Sequence, residues 1–463
     1  MNQKKQDWTK LKKIATGLVD VFLLNLSIGL SYLLKFGNQI PDYNFNPYRE
    51  IALYLSLIFI IINILFGVYV YYNKTIGDTI VITLIIQFLF TIVLMALTFF
   101  ARGLALPRSV VLYSFVISTI ILSVWRWLSY KLYQRVSGSK SVIVVGDEKS
   151  VIDAYKNISE AKNKRHRITT AITSDYLTNL KKEIDKADIV YVASDLAGDD
   201  NHVFDLIIRE EKKLFLKADF KNLLLINPNI MNIDDESMIE VSDFKIPAED
   251  DLIKRTFDIV VSLILLILSL PITLITGLLV KLTSRGPVFY SQIRITKDQK
   301  EFKILKFRTM ENLAEKKSGP VLATSNDSRV TGIGKYLRAL RLDEIPQLLN
   351  VLKGDMSIVG PRPERPFFVD QFNSENASYY LRHKVRAGIT GYAQVYGKYA
   401  SDFNNKLKFD LIYIKNYSLV MDVKIMFQTI KILFDKVSSS GVEEQFESMT
   451  LDDLKKEKIR VYN

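Results

Sequence analysis

The chain has 463 residues, 48% of them hydrophobic, and it contains no cysteine and only three histidines. Disulfides, cysteine nucleophiles and thiolate metal sites are therefore excluded, and any metal would be a hard cation held by carboxylates and phosphates. The 62 basic and 50 acidic residues give a net charge of +12. We attribute this excess to contact with anionic membrane lipid rather than with nucleic acid, because the sequence has no nucleic-acid-binding motif.

The first 135 residues are predicted to form a four-helix transmembrane domain. Four apolar segments in this region are each long enough to cross about 30 Å of hydrocarbon as a helix. Basic residues precede the first segment and follow the fourth. An even number of crossings therefore places both ends of the domain in the cytoplasm. The predicted spans are residues 14–34, 51–72, 79–101 and 109–130.

Residues 138–248 have the pattern of a parallel α/β domain. The β-branched stretch "SVIVV" predicts a buried strand, and residues 187–195 and 212–220 predict two more, with helical stretches between them. A dinucleotide site would need three glycines in the turn after the first strand. This turn carries only Gly146. We therefore expect a degenerate Rossmann-like domain that does not bind NAD.

A fifth apolar run, residues 257–282, differs from the others because Pro271 lies near its middle. Proline removes a helical hydrogen bond, and the half of the run before it, about 21 Å long, is too short to cross a membrane. Basic residues flank both ends of the run. We therefore predict a re-entrant helix that enters and leaves on the cytoplasmic face, with a kinked fifth span as the alternative.

Residues 251–437 include this run and otherwise form a compact, mixed and basic segment without further spans. The last helical stretches interleave lysine with aromatic and aliphatic residues. This pattern is typical of helices on a membrane surface, although core amphipathic helices share it. The polar and charged stretch 438–463 is predicted to be a flexible tail.

Two adjacent carboxylates, Asp343 and Glu344, precede Pro346 and an apolar helix-forming run. Proline suits the first turn of a helix, so the carboxylates are predicted at or just before the helix start. Acidic residues at a helix start interact favourably with the helix dipole, so their presence there requires no further function. The pair alone therefore leaves a simple helix cap and a reaction centre both open.

Cations elsewhere in the segment favour a phosphorylated substrate beside the carboxylates. Arg362 lies between two prolines in "GPRPE", and arginine binds phosphate through paired hydrogen bonds. Lys306 and Arg308 lie in "KFRTM", on a predicted strand. Arg386 lies in a basic stretch punctuated by glycine. A divalent metal could bridge the carboxylates to such a substrate.

Six long, collinear stretches between residues 254 and 436 identify a family. They resemble the catalytic domain of bacterial sugar transferases, namely the polyprenyl-phosphate hexose-1-phosphate transferases or monotopic phosphoglycosyl transferases. The first 250 residues resemble the extension of the larger members, with four spans and a degenerate nucleotide-fold domain. The matching stretches are "KRTFDIVVSLILLILSLP", "GPVFYSQIR", "FKILKFRTM", "LDEIPQLLNVLKGDMSIVGPRPE", "KVRAGITGYAQVYG" and "YIKNYSLVMDVKIMFQTIKIL".

The resemblance implies an α/β monotopic catalytic domain on the cytoplasmic face of a bacterial cell membrane, with Ser269 and Pro271 at the break of the re-entrant helix. It also implies that Asp343 is the nucleophile. Asp343 would attack the β-phosphorus of a UDP-sugar, release UMP and form a sugar-phosphoryl aspartate. Undecaprenyl phosphate would then take the sugar phosphate, which begins an exopolysaccharide, capsule or O-antigen.

Further roles follow from the same resemblance. Glu344 would assist as a metal or base partner, and Mg²⁺ would be held by Asp343 and Glu344. Arg362 would hold the diphosphate, while Lys306, Arg308 and Arg386 are further substrate-binding candidates. The expected partners are a UDP-hexose, undecaprenyl phosphate and membrane lipid. Glucose and galactose are the expected sugars; N-acetylated sugars, the role of the middle domain and a homo-oligomer stay open.

Three other classes of protein are alternatives. A membrane-bound nucleotide-sugar dehydratase needs a Tyr-x-x-x-Lys pair, and Tyr380 and Lys384 have that spacing, but no GxGxxG precedes them. An inactive scaffold of polysaccharide assembly would have no reason to keep the carboxylate pair. A transporter is disfavoured because the four spans carry almost no charge within the membrane.

Overall fold

The computed structural model describes the chain apart from residues 1, 71–74, 101–105, 160–164, 197, 199, 234, 242, 312–328, 398–401, 435–449 and 463. The chain divides into two compact units. The first comprises Met1–Lys217 together with Gln445–Asn463, and the second comprises Ala218–Glu444. Each unit has hydrophobic cores of its own.

Four long helices, α1 to α4, begin the first unit. Each contains a stretch that is long and apolar enough to cross a membrane, and large apolar side chains remain exposed along all four. Such a surface suits lipid rather than water. The predicted spans overlap helices of the required length, although the second, 51–72, runs past the end of α2 at Leu65. Residues 71, 72 and 101 of the predicted spans lie outside the described residues, and the number of helices that cross stays a prediction. The helix bounds are Asn2–Phe36, Asp42–Leu65, Ile76–Phe100 and Arg108–Ser137.

A buried ion pair and a hydrogen bond join three of these helices, although we expected almost no charge within the spans. Arg126 of α4 donates to the Asp20 carboxylate of α1 at 2.5 Å, and both side chains are fully buried. Arg126 also donates to the side-chain oxygen of Asn63 in α2 at 3.0 Å. Charges in an apolar bundle are tolerated only when their hydrogen bonds are satisfied. This network therefore fixes how the helices face one another.

The first unit continues with a parallel sheet, as the sequence predicted. Its strands pair in the order β2-β1-β3-β4. We did not predict β2, "HRITTAI", because polar residues interrupt its apolar run. The strands are β1 Lys140–Val145, β2 His166–Ile172, β3 Ile189–Val192 and β4 Lys213–Leu216, and the helices are α5 Glu148–Ser159, α6 Tyr176–Glu183 and α7 Asp200–Arg209.

The protein's own groups occupy the carboxyl end of β1, where nucleotide folds bind phosphate. The Asp147 carboxylate accepts a hydrogen bond from the amide of Ser150 at 3.0 Å and so caps α5. The Asp147 amide donates to the Ser194 hydroxyl at 2.8 Å. Gly146 has φ +154°, and a Cβ atom there would lie 2.7 Å from the Ser194 oxygen. Only glycine therefore allows this close approach.

The second unit combines short strands with helices packed around one main core. Strands β5 and β6 pair antiparallel, as do β7 and β8, whereas β9 and β10 are parallel. Its elements are α8 Phe220–Leu224, β5 Asn229–Ile233, β6 Glu236–Glu240, α9 Ala248–Thr283, β7 Phe289–Ile295, β8 Glu301–Phe307, α10 Gly332–Ala339, α11 Gln347–Lys353, β9 Met356–Val359, α12 Pro366–Glu375, β10 Ala387–Thr390, α13 Tyr392–Tyr396, α14 Phe403–Lys415 and α15 Leu419–Phe434.

Helix α9 is buried near its two ends and exposed between them. Lys254, Asp258 and Ser262, spaced by four residues, are buried near its start, and Thr276 and Val280 are buried near its end. Leucine and isoleucine side chains between these two sets are exposed. The helix is therefore held at both ends while its apolar middle lacks a protein partner among the described residues.

The backbone of α9 stays helical through Ser269 and Pro271. The helix is thus not divided into two separate elements at these residues, and a bend there that returns the chain to the same face stays a prediction. The Ser269 hydroxyl donates to the carbonyl of Leu266 at 3.3 Å. A side chain that bonds back to the preceding turn satisfies its own polar group within the helix, and bonds of this kind often bend a helix.

The prediction of a flexible tail is wrong for the residues that the structure describes. Helix α16 spans Leu451–Lys456, and strand β11, Arg460–Tyr462, pairs in parallel with β2 and extends the sheet of the first unit. Its apolar residues, Leu451, Leu454 and Ile459, are buried in the core of that unit. Burial of these few side chains and strand pairing order a segment of polar composition. Residues 438–449 of the predicted tail lie outside the described residues.

Candidate active site

The two carboxylates lie in a single 3₁₀ turn, Leu342–Glu344, between α10 and α11. Arg341, just before this turn, has φ +56° in the left-handed region, which redirects the chain between the two helices. Pro346 immediately precedes α11, as the sequence predicted. Asp343 and Glu344 are only 7% and 8% exposed. Two adjacent ionisable groups are therefore removed from water together.

Glu344 is held by cations. Lys306 at the end of β8 donates to it at 2.9 Å, and Arg362 donates to the same oxygen at 3.2 Å. Burial alone would raise the pKa of Glu344, but the charges of Lys306 and Arg362 outweigh it and hold that pKa well below its usual range. Burial in turn lowers the pKa of the Lys306 ammonium. Glu344 is thus a fixed anion that organises two cations.

Asp343 is the opposite case. Its carboxylate makes no hydrogen bond or ion pair with any residue that the structure describes. Burial, and then the charge of Glu344 beside it, raise the pKa of Asp343 above its usual value. Two neighbouring carboxylates whose pKa values move in opposite directions are suited to different chemical roles. The unbonded one, Asp343, is the group available to react.

Backbone contacts fix the loop that carries Arg362. The amide of Gly360 donates to the carbonyl of Thr390, and the amide of Gly388 donates to the carbonyl of Pro361, both at 2.9 Å. A Cβ atom on Gly388 would lie 2.1 Å from the Gly360 nitrogen. The glycines after residue 383 therefore let this segment come into backbone contact with the loop of Arg362. Their role in the glycine-punctuated stretch is structural.

The structure does not bring Arg308 or Arg386 to the carboxylate pair. Arg308 is buried and donates to the carbonyls of Ser284 and Arg285, just after α9. Arg386 pairs with Asp251 at 2.7 Å. Neither contact supports the predicted role in substrate binding, because each guanidinium is used within the fold. Ser269 and Pro271 lie in the exposed middle of α9, as described above.

Cations that we did not predict also surround the pair. Arg338 and Arg341 act on Asp343 and lower its pKa, though by less than burial raises it. Arg341 lies 4.0 Å from Glu344. The signal was present in the sequence, since both arginines come within five residues before Asp343 in "RALRLDEI". Arg338 and Arg341 therefore act at the pair beside Lys306 and Arg362, where Arg308 and Arg386 had been predicted.

No group of three or more histidine or acidic side chains that could hold a metal occurs among the described residues. Magnesium sites, however, commonly use one or two carboxylates and take their remaining ligands from water and substrate phosphates. Asp343, unbonded and beside Glu344, has the donor chemistry for such a site. The residues present therefore fit a metal that binds together with a phosphorylated substrate.

Known proteins place this site in a family. The sequence model described as "Bacterial sugar transferase" matches residues 249–436. A UDP-N-acetylgalactosamine-undecaprenyl-phosphate N-acetylgalactosaminephosphotransferase from Aeromonas hydrophila is 49% identical over 182 residues, which cover 39% of this chain and 43% of the relative. A UDP-glucose:undecaprenyl-phosphate glucose-1-phosphate transferase from Escherichia coli is 40% identical over 198 residues, 42% of each chain.

A shorter relative is matched over most of its length. The uncharacterized sugar transferase EpsL of Bacillus subtilis is 39% identical over 180 residues, which make up 86% of that protein and 39% of this chain. The chain belongs to the bacterial sugar transferase family. The match spans only about two fifths of the two longer relatives. The residues that the family model matches, 249–436, include the carboxylate pair and α9 from its second residue.

Proposed function

We propose that this protein transfers a hexose-1-phosphate from a UDP-hexose to undecaprenyl phosphate, and that Asp343 is the nucleophile. The observation that carries the proposal is the contrast within the pair: Glu344 is tied to Lys306 and Arg362, whereas Asp343 is buried and makes no hydrogen bond with the described residues. The names of the two longer relatives describe transfer of this kind.

The proposed reaction has two displacements at one phosphorus atom. An Asp343 oxygen bonds to the β-phosphorus of the UDP-hexose, the bond from that phosphorus to the bridging oxygen breaks, and UMP leaves. A phosphate oxygen of undecaprenyl phosphate then attacks the same phosphorus and displaces Asp343. The products are undecaprenyl-diphosphate-hexose and the free carboxylate. Division into two steps lets one small site serve a soluble donor and then a lipid acceptor.

The cations around the pair supply what a carboxylate nucleophile needs. An anion approaches a diphosphate only if the negative charge of the diphosphate is offset. Arg362, Lys306 and Arg341 lie beside Glu344 and carry that positive charge. Mg²⁺, held by Asp343 and Glu344 with the substrate phosphates, would neutralise further charge on the leaving group.

The packing of α9 supports a re-entrant course. Arg255 near its start donates to the carbonyls of Val351 and Leu352, at the end of α11. Val280, near its other end, lies in a cluster against which Ile345, just before α11, packs. A straight helix would separate Arg255 from Val280 by about 37 Å, whereas α11 is only about 10 Å long. A bent α9 meets both contacts more readily than a straight one.

A re-entrant α9 would keep both of its basic ends, and the catalytic unit, on the cytoplasmic face of the bacterial membrane. Its exposed apolar middle would then lie among lipid tails, and the carboxylate pair would lie level with the lipid head groups. This location suits an acceptor whose phosphate stands at the membrane surface. The dehydratase alternative loses support, because Tyr380 and Lys384 belong to the unit that lacks the parallel nucleotide-type sheet.

Glucose and galactose remain our proposed sugars, and the relatives named for glucose and for N-acetylgalactosamine define the panel to test. Membranes carrying the protein should release UMP from one of UDP-glucose, UDP-galactose and their N-acetylated forms. Release should require undecaprenyl phosphate for multiple turnovers and a divalent cation. Membranes with the Asp343→Asn variant at equal protein level are the control. No UMP from any donor would contradict the transferase proposal and favour a scaffold.

A further inference from the structure

Arg382 is a buried arginine that the proposed reaction does not use directly. It is 4% exposed, and every contact of its guanidinium lies within the protein. It donates to Asp410 of α14 at 2.8 Å and to the Tyr379 hydroxyl at 2.7 Å. Glu364 adds a further negative charge nearby.

One remaining donor of Arg382 points to the catalytic loop. Its Nη2 atom donates to the main-chain carbonyl of Arg362 at 3.0 Å. The Arg362 side chain is 41% exposed and reaches Glu344 at 3.2 Å. A long, half-exposed side chain has many rotamers, so the position of its backbone decides where the guanidinium can go. Flanking prolines limit the backbone torsions, and the bond from Arg382 fixes the carbonyl.

We propose that Arg382, anchored by Asp410, is a positioning residue for donor binding: it holds the backbone of Arg362 so that the Arg362 guanidinium lies beside Glu344 and the diphosphate. The inference rests on the proposed function. The connection runs from Asp410 through the Arg382 guanidinium to the Arg362 carbonyl, and from the Arg362 side chain to Glu344. Arg386, four residues later and predicted from the sequence, has no such connection, since it pairs with Asp251.

Arginine is specifically required for this arrangement. Its planar guanidinium can bind a carboxylate, a hydroxyl and a carbonyl at fixed angles, whereas lysine offers one compact charge on a flexible stem. The Arg382→Lys variant keeps the charge opposite Asp410 and loses the simultaneous contact with the Arg362 carbonyl. A loosened Arg362 should weaken donor binding, because small displacements in a positioned site have large effects.

The test is a double-mutant cycle on the KM for the UDP-hexose that the wild type uses. Arg382→Lys should raise this KM about tenfold, with kcat and the KM for undecaprenyl phosphate changed less than about threefold. In the Arg362→Ala background, Arg382→Lys should add little, because the side chain that Arg382 positions is already gone. An unchanged KM in the single variant, or effects that multiply in full in the double variant, would overturn the proposal.

Asp422→Asn is the matched control. It breaks the Lys254–Asp422 pair, which is as buried as the Arg382–Asp410 pair, lies in the same unit and has no described contact with Arg362. It should lower thermal stability and leave the donor KM unchanged. If Asp422→Asn raises the donor KM as much as Arg382→Lys does, general loosening of the unit explains both, and the positioning role is rejected.

Hydrogen exchange separates this inference from the proposed function. The amides of Gly360 and Gly388 bond across the catalytic loop, so they should exchange faster in Arg382→Lys than in the wild type, with or without activity. If the wild type releases no UMP from any donor but this exchange difference is present, the transferase proposal fails while the loop contact stands. Unchanged exchange rates would overturn the positioning role in either case.

Discussion

Asp147 and Asp343 both lie just before a helix, one in each unit, and they differ in what they bind. Asp147 is exposed, yet its carboxylate accepts the amide of Ser150 and caps α5. Burial raises the pKa of Asp147, but the hydrogen bonds from Ser150 and Ser194 and the charge of Lys217 together outweigh burial and lower that pKa. Asp343 is buried, makes no hydrogen bond with the described residues and has a raised pKa. An acidic residue near a helix start is thus a cap in one unit, whereas in the other it is a carboxylate without a hydrogen bond, which we propose as the nucleophile.

The comparison shows how a helix cap differs from the carboxylate that we propose as the nucleophile. A cap lowers the free energy of the fold because its charge is satisfied there. A buried carboxylate without donors raises the free energy of the fold and persists where another property is selected. The sequence cannot distinguish the two, since both are an aspartate before a helix-forming run.

The largest expected effect is that of Asp343→Asn. It should reduce UMP release by about 10³-fold or more and abolish the sugar-phosphoryl enzyme, because the amide is not a nucleophile. The same change should raise the thermal midpoint: the pKa of Asp343 is raised in the folded state, so its ionised form costs stability at neutral pH. Activity assays and thermal unfolding in the same membranes or detergent check both effects.

Asp147→Ala is the paired control for that prediction. It should leave UMP release near the wild-type level while lowering stability by about 1 kcal/mol through loss of the cap. If Asp343→Asn retained full activity, or if it destabilised the protein as Asp147→Ala does, the distinction between cap and nucleophile would fail.

Glu344→Gln should have the next largest effect, about 100-fold on UMP release, because the two cations that Glu344 holds lose their anion. Stability should also fall, since Lys306 would be left as a buried charge without its partner. The sign is opposite to that for Asp343. The lowered pKa of Glu344 means that its contribution is present above its unfolded value of about 4.5 and is lost as pH falls through the folded value. A more stable Glu344→Gln protein would contradict this.

Arg362→Ala should raise the KM for the UDP-hexose about tenfold and lower kcat less, because its guanidinium lies beside the proposed diphosphate site. Arg386→Ala is the natural comparison, since the sequence predicted the same role for both. Its bond to Asp251 predicts loss of stability with a donor KM within about twofold of the wild type. Equal KM effects in the two variants would restore Arg386 to the binding site.

A smaller effect is expected in the pH dependence of the first step. Because the pKa of Asp343 is raised, the rate of the UMP burst should fall with decreasing pH at a midpoint above 3.8, the value for an ordinary aspartate. Lys306→Gln should move this midpoint higher, since Lys306 favours the ionised form. Rapid-quench measurements between about pH 3 and pH 8 would show it. A midpoint at or below 3.8 would exclude the environment described for Asp343.

The smallest effect on catalysis is expected from Gly146→Ala. Its Cβ atom would lie 2.7 Å from the Ser194 oxygen, so stability should fall by about 1–3 kcal/mol, with UMP release per folded protein unchanged. Gly146→Ala combined with Ser194→Ala should recover part of the loss, because the hydroxyl that the new methyl group meets is removed. No change in unfolding would show that the close approach of β1 and the Ser194 turn is not rigid.

Local sequence was sufficient for features that depend on neighbouring residues. The helix start after Asp343 follows from the proline and the apolar run after it, and three strands of the parallel sheet follow from short apolar runs. The helical character of α9 follows in the same way, but its course through Pro271 does not. Whether a proline interrupts a helix depends on how the rest of that helix is held, here at Lys254 and at Val280.

Features that depend on distant partners were not predictable. Asp20 and Arg126 are 106 residues apart, and each looks like an isolated charge in its own segment. Whether Arg382 or Arg386 can support the loop of Arg362 depends on the ion-pair partner of each. Arg382 pairs with Asp410, and Arg386 pairs with Asp251. We did not predict strand β11, because three dispersed apolar residues do not by themselves indicate a buried segment. The segment is ordered by its pairing with β2, which is distant in the sequence.

The pairing of β11 with β2 has a consequence for synthesis. Tyr462 accepts a hydrogen bond from Thr173, 289 residues earlier in the chain. At bacterial translation rates, about 15 to 60 s pass between the emergence of these two residues. During that time the edge of β2 is unpaired, and an unpaired strand edge is a template for aggregation. The cell must therefore complete the whole catalytic unit before this nascent sheet is protected.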